Sequence, residues 1–183
     1  MSDEKIFNLS NVNLIAEDFG AFTAINVCAR KSLIKKLILV SPLLNIKKFI
    51  YKEEFRRTLE YINRFLPKNI AGIENIDEFI ELTKSELEIG NYNPGKSIQN
   101  LKVRDLLVII GQIDKFVSHS EIKNIFKNSN VVPDIEIIPN MDQIPFNEDE
   151  IKTLKNKILN SKYKYLKTIF DKLSKVIICL YKK

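Results

Sequence analysis

The chain has one histidine, no tryptophan, five glycines, six prolines and two cysteines in 183 residues. Each scarcity excludes something. So few glycines and prolines leave no room for a flexible linker or a collagen-like repeat. The two cysteines, Cys28 and Cys179, lie far apart in apolar helical patterns. They read as free, buried thiols of a reducing compartment rather than a disulfide. Two cysteines and one histidine do not make a zinc site, and no cofactor or metal is expected. The N-terminal MSDEKIFNLS lacks the apolar core of a signal peptide, and no run nears the roughly 18 apolar residues of a membrane span. The expected localisation is cytoplasmic.

What is present fits one soluble globular domain spanning 1–183, with 45% hydrophobic and 28% charged residues. The net charge of +6 is unevenly placed. Residues 151–183 hold ten lysines and one acid, Asp171, for +9, which leaves residues 1–150 at −3. The basic character belongs to the tail.

Four apolar runs alternate with helical patterns. VNLIA (12–16), KLILVSP (36–42), DLLVIIG (105–111) and DIEIIP (134–139) read as buried strands stopped by Pro or Gly. Residues 20–31 read as a helix with Ala21, Ala24, Ile25, Cys28 and Ala29 on one face, and a further helix is expected near 119–128. Continuously apolar strands separated by helices predict a parallel sheet of about four strands, covered on both faces. The segment between the second and third strands predicts a helical cap insert, about 52–95, above the carboxyl ends of the strands. Its helices, 52–66 and 74–88, carry the stripes Phe55, Leu59, Ile62, Leu66 and Phe79, Leu82, Leu87. LPKNIAG (66–72) breaks them apart, and NYNPGKS (91–97) returns the chain to the sheet. Asn147 followed three residues later by Glu150 has the form of a capping box and opens lysine-rich C-terminal helices over 148–183. The second of these, from about 162, carries Leu166, Ile169, Phe170 and Leu173 on one face.

The stretch IAEDFGAFTA (15–24) sets an acid, Asp18, between the first strand and the helix that follows. Its order Ala16-Glu-Asp18-Phe-Gly20 resembles the G-x-S-x-G nucleophile elbow of the α/β-hydrolases, a strained strand-to-helix turn with small neighbours. INVCARKSLIKKLILVSPLLN (25–45) resembles the helix and the next strand of that family. GQID (111–114) resembles the turn with the triad acid, Asp114, and PNMDQIPF (139–146) the catalytic-histidine loop, with Gln143 in the place of the histidine. The resemblance covers roughly 11–160 and implies a partial α/β-hydrolase-like fold, with the N–H of Phe19 as one oxyanion donor.

Two of the three triad positions depart from the serine pattern. The resemblance therefore implies a truncated, catalytically degenerate relative of serine esterases or acyl-transfer hydrolases. An alternative is an active hydrolase with Asp18 as nucleophile, as in epoxide hydrolases and haloalkane dehalogenases. Its ester intermediate would need a base to activate water, and Gln143 has no titratable group near neutral pH. The one histidine, His119 in VSHSE, reads as a helix-start residue beside two capping serines. Only 17 residues precede Asp18, so the loop that gives the family its second oxyanion donor is not expected. The elbow strand would then present an apolar edge for a second copy or a missing N-terminal half to cover. An ester-like small molecule under the cap is the expected ligand. A third reading is a binding module, in which lysines and aromatics such as KYKYLK (162–167) meet nucleic acid or anionic membrane weakly.

Overall fold

A computed structural model describes residues 12–65, 75–89, 94–143, 145 and 147–160. The expected tail helix from 162, the KYKYLK segment, Cys179, Leu66 and the LPKNIAG break lie outside the described residues.

The branched, apolar runs form four strands: β1 (Val12–Glu17), β2 (Ile34–Val40), β3 (Asp105–Gly111) and β4 (Asp134–Ile138). They pair in parallel, as the sequence predicts, in the order β1-β2-β3-β4. Alternation along the two central strands divides the core between the two faces of the sheet. Leu37, Leu39, Leu106, Val108 and Ile110 face α1 (Phe19–Arg30), a short α5 (Gly95–Gln99) and α6 (His119–Ile125). Ile38, Val40, Leu107 and Ile109 pack with Leu154 and Ile158 of α7 (Glu148–Asn160) on the other face. Helix α1 buries Ala21, Ala24, Ile25 and Cys28, the i, i+3, i+4, i+7 stripe of an amphipathic helix. Cys28 is free, and burial raises its thiol to about 11, so it is chemically quiet.

Between β2 and β3 lie α2 (Ile46–Ile50), ahead of the expected insert, and α3 (Glu53–Phe65) and α4 (Ile76–Ile89) within it. Helices α2 and α5 are only five residues each, too short for a periodic pattern to mark them in the sequence. The stripe expected on α4 needs one correction. Leu82 is 59% exposed, and Ile80 takes the buried position at 7%. Phe79 and Leu87 of the expected stripe are half-buried, and Leu87 packs against the core. Among the described residues no helix is long and apolar enough to cross a membrane.

Local capping chemistry fixes where the helices after the site begin. Ser118 accepts the N–H of Glu121 at the start of α6. Asn147 Oδ1 accepts the N–H of Glu150 at 2.8 Å, and Asn147 Nδ2 donates to the Glu150 carboxylate at 2.7 Å. The first is the cap bond of the expected box; the second joins the two side chains in place of the reciprocal bond to the Asn147 backbone N–H. Asn147→Ala should lower folding stability by about 1 kcal/mol in urea denaturation. No loss would mean that the box does not hold the start of α7.

Candidate active site at the carboxyl edge of the sheet

Three loops meet where β1, β3 and β4 end. At the first, Asp18 takes φ 50° and ψ −126°, a backbone region costly for any residue with a side chain. The turn is tied down by neighbours. The Asp18 N–H donates to Val40 O at 3.2 Å, and the Asp18 carbonyl accepts from Ala21 N–H at 3.1 Å and Leu43 N–H at 3.2 Å. Two of those three bonds go to residues at or just past the end of β2, so the strained turn is fixed by the sheet itself. Gly20 does not serve the close passage expected of it. A β-carbon there would meet nothing within 4 Å.

At the second loop, Asp114 Oδ1 accepts the N–H groups of Phe116 (2.8 Å) and Val117 (2.9 Å), closing a tight turn. Its other oxygen, Oδ2, is buried with no hydrogen-bond partner among the described residues. At the third loop, Gln143 reaches over and donates from Nε2 to Asp18 Oδ1 at 3.1 Å. Asp18, Asp114 and Gln143, separated by up to 125 positions in sequence, are thus gathered at one edge.

The electrostatics follow from that gathering. Burial holds the Asp18 carboxyl above the usual carboxylate range, and the nearby Asp114 charge adds to this. The Gln143 amide and the N–H of Phe19 pull it back down. Glu17 is likewise raised, by burial first and by Asp18 second. The site is a desolvated cluster of carboxyls with a neutral amide over it.

Neither a family model nor a curated protein matches the sequence. Solved structures match the fold. An α/β-hydrolase enzyme, MGS-MChE2, from a lagoon-sediment metagenome superposes with TM-score 0.55 at 18% identity, over 86% of this chain and 63% of that one. A monoacylglycerol lipase from Paleococcus ferrophilus gives 0.53 at 14% identity, over 87% and 69%. Acetyl xylan esterase 1 from Thermoanaerobacterium sp. gives 0.50 at 16% identity, over 81% and 45%.

The fold is that of the α/β-hydrolases.

The chain spans 45% to 69% of the length of these three hydrolases. Asp18 stands on the strained turn between β1 and α1. Phe19, which follows it, is 41% exposed, and its ring meets Phe49 of α2 edge-on at 5.5 Å. Phe49 also meets Phe55 of α3 and Phe116 at 5.2 Å each, so an aromatic cluster joins the insert to the carboxyl edge. The adjoining cleft, lined by Leu43, Phe49, Phe116 and Ile122, has about 10 Å³, room for a single water. A larger space of about 130 Å³ lies between α2, α3 and α4. Its charges are mostly paired, Arg56 with Asp77 and Lys84 with Glu81.

His119 begins α6 behind its Ser118 cap. No hydrogen bond links it to Asp18, Asp114 or Gln143 among the described residues. Two features of this hydrolase-fold edge have no signal in residue type alone. Ser41, at the end of β2, is fully buried at φ 40° with its Oγ unpartnered among the described residues. Gly111 lies directly under the loop that carries Gln143. The Ser-Pro pair after β2 and the Gly ending β3 hint at a chain turn, and at nothing more specific.

Proposed function

We propose that this protein is a cytoplasmic, hydrolase-fold relative of serine esterases and acyl-transfer enzymes whose triad positions no longer turn over ester. The observation that carries this reading is the bond from Gln143 Nε2 to Asp18 Oδ1. A carboxamide fills the position over the elbow, and it cannot take a proton from a nucleophile or from water. Wild-type protein is expected to hydrolyse p-nitrophenyl esters no faster than buffer.

The strained turn supports a second reading, in which Asp18 attacks carbon directly. A non-glycine residue at φ 50° costs on the order of 1–3 kcal/mol. Desolvation also leaves the carboxylate poorly hydrated and more reactive. In this reading turnover of an epoxide or ester rises as pH climbs through the raised range of Asp18, because only the ionised form attacks. Wild-type turnover with that rise, abolished by Asp18→Asn, sinks the degenerate reading and establishes this one.

An ester-like molecule under the insert remains the proposed ligand. Pairing of β1 on one side only, with β2, among the described residues supports a second copy or a further stretch of hydrolase chain along its free edge. Contact of the lysine-rich tail with anionic surfaces is proposed as weak and salt-dependent.

A further inference from the structure

We propose that Gly111 is the positioning residue of this site: its missing side chain lets the β4–α7 loop cross the end of β3 and deliver Gln143 to Asp18. The inference rests on the proposed reading of Asp18 and Gln143 as the paired residues of this site. A β-carbon on Gly111 would stand 2.2 Å from the carbonyl oxygens of both Met141 and Asp142, and 2.7 Å from the Met141 carbonyl carbon. All three are backbone atoms, so no side chain can swing aside. The demand is for space, because Gly111 has no positive φ to accommodate.

The loop is held against that bare patch from both sides. Gln112 N–H donates to Ile138 O at 2.9 Å, and Ile113 N–H donates to Met141 O at 3.1 Å. The Asn140 N–H donates to Gln112 Oε1 at 3.3 Å. Asn140 itself turns the chain at φ 61°, a left-handed conformation that asparagine tolerates. Gln143 stands next to Asp142, so its reach to Asp18 is set by how closely 141 and 142 approach β3. A methyl group at 111 must drive these carbonyls outward by about 1 Å to restore ordinary van der Waals separation. The Gln143–Asp18 bond is 3.1 Å long, and a side-chain contact beyond about 3.5 Å no longer counts as a hydrogen bond. One methyl group is enough to break it.

The experiment is a ¹³C NMR titration of the Asp18 carboxyl in the full chain. The variants are Gln143→Ala, Gly111→Ala and, as a matched glycine control, Gly20→Ala. Burial and the Asp114 charge keep the Asp18 midpoint high, with Glu17 beside it, while the Gln143 amide lowers it. Gln143→Ala and Gly111→Ala are therefore expected to raise the midpoint equally, and Gly20→Ala to leave it in place. A folded Gly111→Ala protein with the wild-type midpoint, beside a shifted Gln143→Ala, overturns the role of Gly111 alone. An unshifted Gln143→Ala overturns the pair itself, and the inference with it. Should Gly111→Ala not fold, Gln112→Ala frees only the Asn140 N–H. It is expected to shift the midpoint the same way by less, and no shift there overturns the proposal.

Discussion

Adding Gln143→His to an Asp18→Ser background is expected to raise p-nitrophenyl ester hydrolysis by about 100- to 10,000-fold over Asp18→Ser alone. The single change supplies a hydroxyl on the strained turn, yet nothing to deprotonate it. The second change supplies the base over Asp18's position, where Gln143 Nε2 now stands 3.1 Å from the elbow carboxylate. Asp114 belongs to the same cluster, and its Oδ2 is buried and unpartnered among the described residues. An imidazole N–H donated to that oxygen fixes the tautomer that leaves the other nitrogen free as base. Equal rates for the single and double variants would show that position 143 does not stand where a base is needed.

Ile109→Ala is expected to remove about 2–5 kcal/mol of folding stability, while Ile113→Ala, four residues on, removes less than about 0.5 kcal/mol. Ile109 is 0% exposed on β3, in register with Val40 of β2 and Glu136 of β4. Its side chain belongs to the layer between sheet and α7, so truncation leaves a cavity that the paired strands cannot collapse. Ile113 is 55% exposed beyond the end of the strand. Urea denaturation of the two variants reads the difference as a shift in midpoint at constant slope. Similar losses at both positions would mean that β3 is not the packed centre of the sheet.

The same contrast explains which parts of the fold are legible in the residues. KLILVSP and DLLVIIG become β2 and β3 within two residues of the expected ends, because a strand buried on both faces must be apolar throughout. Ser118 and Asn147 cap α6 and α7 as read, since a cap is a bond between residues three apart. The α4 stripe is misread because Leu82 and Ile80 are equally apolar, and only contact with α2 and α3 selects one of them. Glycine is similarly ambiguous. Gly20, which the elbow pattern marks as sterically needed, has open space around it, whereas Gly111 is pressed by two carbonyls.

By itself the sequence determined the parallel order of apolar strands, the helix starts and the presence of an acid on a strand-to-helix turn. Those depend on side-chain polarity and on contacts a few residues apart. Only the tertiary structure decided that Gln143 donates to Asp18, 125 positions away, and that Asp114 is left with a buried, unpartnered oxygen among the described residues. Such distances are set where several chain segments pack together. They turn on a fraction of an ångström at a bare glycine, and no local pattern of residue types encodes that.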